Sequence, residues 1–298
     1  MAPSCRARLP QASAEEYHVS VVVGGCVSKS VLVFDSGVGG LTVYDEIRQL
    51  LPGLHFLYVF DNARFPYGEL PADELVRRCV SVIKSVVALH TVDLVVIACN
   101  TASTQVLPAL RAILPMPVVG VVPAIKPAAR MSHNACIGLL ATPATISRPY
   151  IDQLIENHAS HVRVLRCGST ELVLQAERKL SGLSVEQDKI EATLQHWRDD
   201  AHKPDTLVLG CTHFPLLKEE ISKVLPHVRL IDSGAAIARR VHELLVLNGE
   251  GMMQVKESFA YCTLMNHHTR SLQPAMQKRG LGRIEELDIT CDCRTPHC

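Results

Sequence analysis

Two stretches of the chain repeat one design. DLVVIACNT (93–101) and DTLVLGCTH (205–213) each run from an aspartate through a short apolar segment to a cysteine, and polar side chains follow at once. The two cysteines, Cys99 and Cys211, stand 112 residues apart. A single cysteine is more often a small buried hydrophobe than a reagent. That explanation fits this pair poorly. Asn100, Thr101, Thr212 and His213 place hydrogen-bonding groups beside each sulfur at a strand-to-helix junction, where the first amides of a helix are unpaired. Helix starts and nearby cations lower a thiol's pKa, and the thiolate is the reactive form. With an ordinary pKa of about 8.5, one thiol can serve as base in one direction and as acid in the other. Two thiols on opposite sides of one ligand suit inversion at a carbon centre, one taking a proton and the other returning one to the opposite face. The chemistry expected is that of a racemase or epimerase.

The elements that must carry these thiols are legible as alternating short β-branched runs and helix-length amphipathic segments, the pattern of an α/β fold with mostly parallel sheets. Strands are expected at 31–34, 54–60, 94–98 and 117–122, with helices over 40–50, 72–90 and 102–113. The series then restarts, with strands at 136–141, 162–166, 206–210 and 228–232 and helices near 145–158, 170–199 and 214–225. A helix over 234–248 and a strand near 257–263 close it. Asp73 and Thr101 suit first-turn or N-cap positions. A second echo pairs FDSG (34–37) with IDSG (231–234). Proline-rich VVPAIKPAA (121–129) reads as the crossing between two halves, with a return after about 232. The expected organisation is an extension over 1–28, a first α/β domain from 29–122 and 237–298, and a second from 123–236. Ligands of open α/β sheets bind beyond the carboxyl ends of the strands, so the cleft between the domains should hold the site, with one cysteine from each.

Composition narrows the classes further. The 298 residues carry 30 basic and 30 acidic side chains, with 47% hydrophobic and 20% charged residues, enough apolar material for sizeable cores. Zero net charge with scattered cations argues against nucleic acid as the main ligand. No run approaches the roughly 18 apolar residues of a membrane span, and VSVVVGG (19–25) is too short and glycine-rich for a signal core. The chain is read as cytosolic, and its eleven cysteines, an odd number, as largely reduced thiols rather than a disulfide framework.

Rival chemistries find weaker footing. Gly37, Gly39 and Gly40 open a helix as a nucleotide loop would, but Thr42 stands where the third glycine of a dinucleotide fingerprint belongs, and no Walker lysine follows. Lys84 and Lys126 lack the phosphate-binding context of a pyridoxal enzyme. CDCRTPHC (291–298) has three cysteines and His297, without a common zinc spacing, and reads as a chain terminus. His267 and His268 read as an exposed pair.

The motifs FDSGVGGLTV (34–43), PYG (66–68), ACNTAS (98–103), GCTHFPLL (210–217) and DSGAAIARR (232–240) together resemble the glutamate racemases of the aspartate/glutamate racemase superfamily, over about Val31 to Leu287. PVVGVVPAIKPAAR (117–130) and the N-terminal extension resemble the enterobacterial long form. The resemblance implies cofactor-independent interconversion of L- and D-glutamate, with no metal, supplying D-glutamate to peptidoglycan. It makes Cys99 and Cys211 the proton donors and acceptors. It makes Asp35, Ser36, Tyr67, Gly68, Asn100, Thr101, Thr212 and His213 substrate contacts, with Asp35 assisting Cys99 and His213 assisting Cys211. Asp35 would meet the ammonium, and Ser36, Asn100, Thr101 and Thr212 the carboxylates. It further implies two α/β domains closing over the amino acid and a muramyl-peptide nucleotide activator near the hinge, and it leaves room for a homodimer. An acidic residue that such proteins carry within 167–179 is here either Glu171 or Glu177. The basic residue common after PYG is replaced by Glu69-Leu70. Aspartate or hydantoin racemisation and a non-catalytic amino-acid sensor are the alternatives.

Overall fold

The structure is a computed structural model that describes residues 28–200, 202–245 and 257–289. The tail cysteines and most of the N-terminal extension lie outside the described residues. In chain order the first run is β1 (Ser30–Asp35), α1 (Leu41–Leu50), β2 (His55–Phe60), α2 (Ala72–Leu89), β3 (Leu94–Ile97), α3 (Asn100–Ile113) and β4 (Val118–Gly120). The second is α4 (Ile125–Met131), β5 (Cys136–Ala141), α5 (Pro143–Ile146), α6 (Pro149–Ala159), β6 (Arg163–Gly168), α7 (Glu171–Leu180), α8 (Gln187–Asp199), β7 (Thr206–Leu209), α9 (Lys218–Val224) and β8 (Arg229–Ile231). Then come α10 (Gly234–Leu245), β9 (Ser258–Cys262), α11 (His267–Ser271), α12 (Gln273–Lys278) and β10 (Leu281–Glu286).

These strands form two parallel sheets, ordered β10-β9-β2-β1-β3-β4 and β6-β5-β7-β8. Strands covered on both faces should be apolar throughout, and β1, β2, β3 and β7 are buried at every position. Alternation divides each strand between two cores. Val31 and Val33 pack under α1 and α10, while Leu32 and Phe34 pack under α2 and α3. In the smaller sheet Leu140 and Leu207 face α7, α8 and α9, whereas Ile137 and Leu139 face α4 and α6. α10 returns to the larger lobe, where Ile237, Val241 and Leu245 complete the core beneath α1.

Local chemistry moves several expected boundaries. α4 starts at Ile125 and accommodates Pro127 in its first turn, where a missing N–H costs no helical bond. The crossing between lobes is therefore only the stretch 121–124. The helix expected over 170–199 breaks into α7 and α8, with Gly182 left-handed at φ +79° just past the end of α7. Pro149 restarts the helix expected over 145–158 as α6, and the Thr142 side chain accepts from the Thr145 amide to cap α5. Pro215 sits within a 3₁₀ turn, Phe214–Leu217, that precedes α9. α11, α12 and β10 have no counterpart in the sequence expectations; β10 is an edge strand with a mixed burial pattern and little periodicity to betray it.

Candidate active site

The sheet orders superimpose in concept: β2-β1-β3-β4 in one lobe answers to β6-β5-β7-β8 in the other. Cys99 follows β3 and Cys211 follows β7, so the two thiols occupy equivalent strand ends. The paired DSG motifs do not share this equivalence. FDSG ends β1, but IDSG ends β8, whose counterpart is β4. There Ser233 donates its hydroxyl to the Val122 carbonyl and ties the two crossings together, while Asp232 accepts from the Gly234 amide at 2.9 Å. The true counterpart of Ser36 is Thr142, at the end of β5.

On the larger lobe, Cys99 is the N-cap of α3 and is buried. Its Sγ lies 3.6 Å from the Ser36 hydroxyl. Burial pushes the Cys99 thiol up to about 12; the Asp35 carboxylate adds to this, and the Ala102 amide and Ser36 hydroxyl oppose it. Asp35 is fully buried behind the loop. One carboxylate oxygen accepts from the Gly40 amide at 2.7 Å, and the other has no protein partner. Burial raises the pKa of Asp35, against the pull of the His213 charge and the Gly40 and Ser36 amides. Its negative charge keeps the proton on Cys99, so assistance in deprotonation would have to come from accepting that proton.

On the smaller lobe, Cys211 Sγ stands 3.7 Å from His213 Nδ1, and His213 Nε2 stands 2.7 Å from Glu177 Oε1. Burial alone would lower the His213 pKa. Its bonds to Cys211 and Glu177, reinforced by their charges, outweigh burial and hold it well above the ordinary histidine value. Burial would likewise raise Glu177, but the bonds from His213 and His268 take it down to about 2. Glu177 and His213 thus form a buried hydrogen-bonded pair in which each favours the charged form of the other. Lys179, on the same helix as Glu177, binds both the Leu216 carbonyl at 2.9 Å and Glu220 at 2.8 Å, fixing α7 to the turn after His213.

Glycines bring the two lobes together. A Cβ at Gly37 would come 2.9 Å from Glu177 Oε1, and one at Gly39 would collide with the His213 ring. The glycine-rich loop therefore serves close packing against the histidine–glutamate pair. Thr42 donates its hydroxyl to the Thr212 carbonyl at 2.9 Å across the same junction.

Between the thiols lies a cavity of about 120 Å³. Ser36, Tyr67, Gly68, Cys99, Asn100 and Thr101 line it from one lobe, and Cys211, Thr212 and His213 from the other. Pockets for drug-sized ligands run to roughly 300–1,000 Å³, so this one suits a small metabolite. Of the ten residues expected at the site, Asp35 alone is missing from the wall. Tyr67 reaches the wall, but its hydroxyl donates to Asp61 at 2.7 Å, and Arg78 holds that carboxylate with two bonds at 2.8 Å. Asn100 Oδ1 is buried without a protein partner, an acceptor at the cavity. The Thr101 hydroxyl meets those of Thr142 and Thr145, each at 3.2 Å, across the lobes.

Sequence reasoning left Glu177 open beside Glu171 and missed Thr142. Glu177 lies one helical turn beyond Val173, which lines the cavity, whereas Glu171 binds Gln175 at 2.9 Å. A charge at i+4 from an inward-facing valine was the available signal. Thr142 also lines the cavity, and only strand equivalence marks it. Among the described residues no cluster of His, Cys, Asp or Glu is arranged to hold a metal ion, and no helix is long and apolar enough to cross a membrane.

Comparison with known proteins adds an independent line. The family model for Asp/Glu/Hydantoin racemase matches residues 31–241. The chain is 51% identical to a glutamate racemase of Photorhabdus laumondii over 259 residues, which is 87% of this chain and 90% of that protein. A Salmonella typhimurium glutamate racemase is also 51% identical, over 87% of this chain and 92% of its own length. Among solved structures, Escherichia coli glutamate racemase in complex with L-glutamate and the activator UDP-MurNAc-Ala matches with a TM-score of 0.84 and 49% identity, covering 87% of this chain and 98% of that one.

Proposed function

The chain belongs to the Asp/Glu/hydantoin racemase family, and from that premise we propose that it is a glutamate racemase that inverts the α-carbon with Cys99 and Cys211 alone, without a cofactor. The observation that carries this reading is the placement of the two thiols at equivalent strand ends, facing one small cavity from opposite lobes. In one direction a thiolate removes the Cα proton and the opposite thiol delivers its own proton to the other face. In the reverse direction the two exchange roles. The intermediate is a carbanion, so the work falls to preorganised dipoles in an enclosed site.

The surrounding groups divide accordingly. The amides opening α3 and the hydroxyls of Ser36, Thr101 and Thr212 are donors for the two carboxylates of glutamate. Asn100 Oδ1 offers an acceptor to the ammonium. Asp35, behind the wall, acts on the ammonium and on Cys99 through its charge. His213, fixed by Glu177, can exchange a proton with Cys211.

The product, D-glutamate, serves peptidoglycan synthesis. The buried cysteines among the described residues carry free thiols, which suits the reducing cytoplasm we assign to the enzyme. We also assign it an activator of the UDP-MurNAc-Ala class. A cavity of about 610 Å³ beside β4 and α10 has Arg111 and Arg240 in its wall, cations that suit a diphosphate.

The direct test is L-glutamate with the purified protein and no pyridoxal phosphate, followed by polarimetry, with L-aspartate and L-alanine in parallel. Loss of rotation with glutamate alone is the expected result. Turnover of aspartate instead assigns the other racemase activity, and ligand-induced closure without turnover assigns a sensor.

A further inference from the structure

The Glu177 carboxylate is shared between lobes. Its Oε1 receives His213 Nε2 at 2.7 Å and the Val38 amide at 3.3 Å, and its Oε2 lies 3.4 Å from His268 Nε2. His268 belongs to α11 of the larger lobe, 91 residues away in sequence. Its other ring nitrogen, Nδ1, lies 3.4 Å from the Ser181 hydroxyl, just past the end of α7. His268 therefore grips α7 at two points one turn apart. A cavity of about 340 Å³, separate from the one between the thiols, exposes this grip to solvent; its wall includes Gly37, Val38, Phe65, Glu177, Ser181 and His268.

We propose that His268 is a positioning residue for proton transfer at Cys211, holding Glu177 from the opposite lobe so that Glu177 in turn fixes the His213 ring. The proposal rests on the glutamate racemase reading and deepens it. Gly39 already presses on one face of the His213 ring, so the remaining freedom of the ring is set by the carboxylate at Nε2. A carboxylate anchored through only one oxygen can swivel, and a second anchor removes that motion. Because its two partners sit on different lobes, the grip also links the alignment of Cys211 to closure of the cleft.

His268 is half exposed, at 50%, whereas Glu177 is 12% exposed, so the histidine is the member of the chain that feels bulk pH. The bond to Glu177 raises the pKa of His268, against a smaller effect of burial. The charged and titratable groups around it are Glu177 and Arg178 on α7, with Arg178 paired to Glu186, and His267 and Arg270 on its own helix. The loops after β1 and β2 bring Gly37, Val38, Asn62 and Phe65 to the cavity and no charge.

The test compares the full-length protein with H268A and H268Q, assaying L-glutamate turnover from pH 6 to 10 and thermal midpoints in parallel. Loss of a bond to a charged group predicts a fall in kcat of about tenfold in H268A, with KM for glutamate nearly unchanged. H268Q, whose amide can replace the Nε2 donor but does not titrate, should recover most of kcat, and its pH profile should differ from the wild type's on the alkaline side, where His268 loses the proton that lets both ring nitrogens donate to α7. Variants that match the wild type in kcat and in pH profile overturn the proposal while leaving the reaction assigned. A loss of kcat that follows the thermal midpoint, with the H268Q profile unchanged in shape, overturns it also, by making His268 merely structural. A wild type that does not turn over glutamate overturns the underlying reading instead.

Discussion

Gly39 lies flat against the imidazole of His213, so close that a Cβ on it would come 2.6 Å from the ring carbon Cγ. The contact joins the loop after β1 in one lobe to the loop after β7, which carries Cys211, in the other. It explains why the glycines sit where they do without any nucleotide to cradle.

Gly39→Ala should therefore strike activity more than folding. Forcing a methyl into packed surroundings costs about 1–3 kcal/mol, and the ring can escape only by turning away from Cys211 or Glu177. A drop in kcat of about tenfold or more, with a modest fall in thermal midpoint, is expected from steady-state kinetics beside a melting curve. Full activity would show that the ring position is not constrained from this side.

Removing either thiol should stop inversion but not all proton exchange. A serine hydroxyl is too weak an acid to replace Cys99 or Cys211, and loss of general acid–base catalysis costs about 10²–10⁴ in rate. Each variant keeps one thiol on one face. Cys99→Ser should exchange the Cα hydrogen of one enantiomer with solvent, and Cys211→Ser that of the other, read by proton NMR in D₂O. Exchange of the same enantiomer by both variants would contradict opposed bases.

The Glu177–His213 pair should leave a signature in stability against pH. The pKa of Glu177 is depressed to about 2, so its contribution is complete above the ordinary carboxylate range and fades as pH falls toward 2. The pKa of His213 is raised, so its share is complete below the ordinary histidine value and fades only as pH rises through the elevated one. The difference in unfolding free energy between wild type and Glu177→Gln, from urea titrations, should be greatest between about pH 5 and 6.5. A difference that does not shrink in acid would mean the carboxylate is not held ionised by these histidines. The same substitution should lower kcat.

Thr142→Val tests the residue revealed by strand equivalence. It removes the cap of α5, worth about 1 kcal/mol, and the hydroxyl that meets Thr101 across the cleft. A raised KM for glutamate with a smaller change in kcat is expected, and an unchanged KM would place the hydroxyl outside the substrate's reach.

Much of this was written in the residue pattern. Continuous β-branched runs located the strands, because both faces of a parallel sheet are covered and no polar position interrupts them. The repeated strand–cysteine design located both thiols. The rest depended on folding in three dimensions. FDSG and IDSG share three letters but occupy inequivalent strand ends, and Thr142, the equivalent of Ser36, sits within an Ala-Thr-Pro sequence that shares only a hydroxyl with the DSG motif. Glu171 and Glu177 differ only in which side of α7 they present. Asp35 reads as a direct contact, yet the turn that satisfies the Gly40 amide keeps its carboxylate behind the wall. His268 reads as exposed, and so it is, but its partner arrives from the other lobe.

The most direct measurement is isotopic partition during turnover. L-glutamate is incubated with the wild-type protein in D₂O, without pyridoxal phosphate, and both enantiomers are separated at low conversion. Two opposed thiols predict D-glutamate carrying deuterium at Cα, beside recovered L-glutamate that still carries hydrogen. D-glutamate that retains its original Cα hydrogen, or an absence of inversion altogether, would contradict the account.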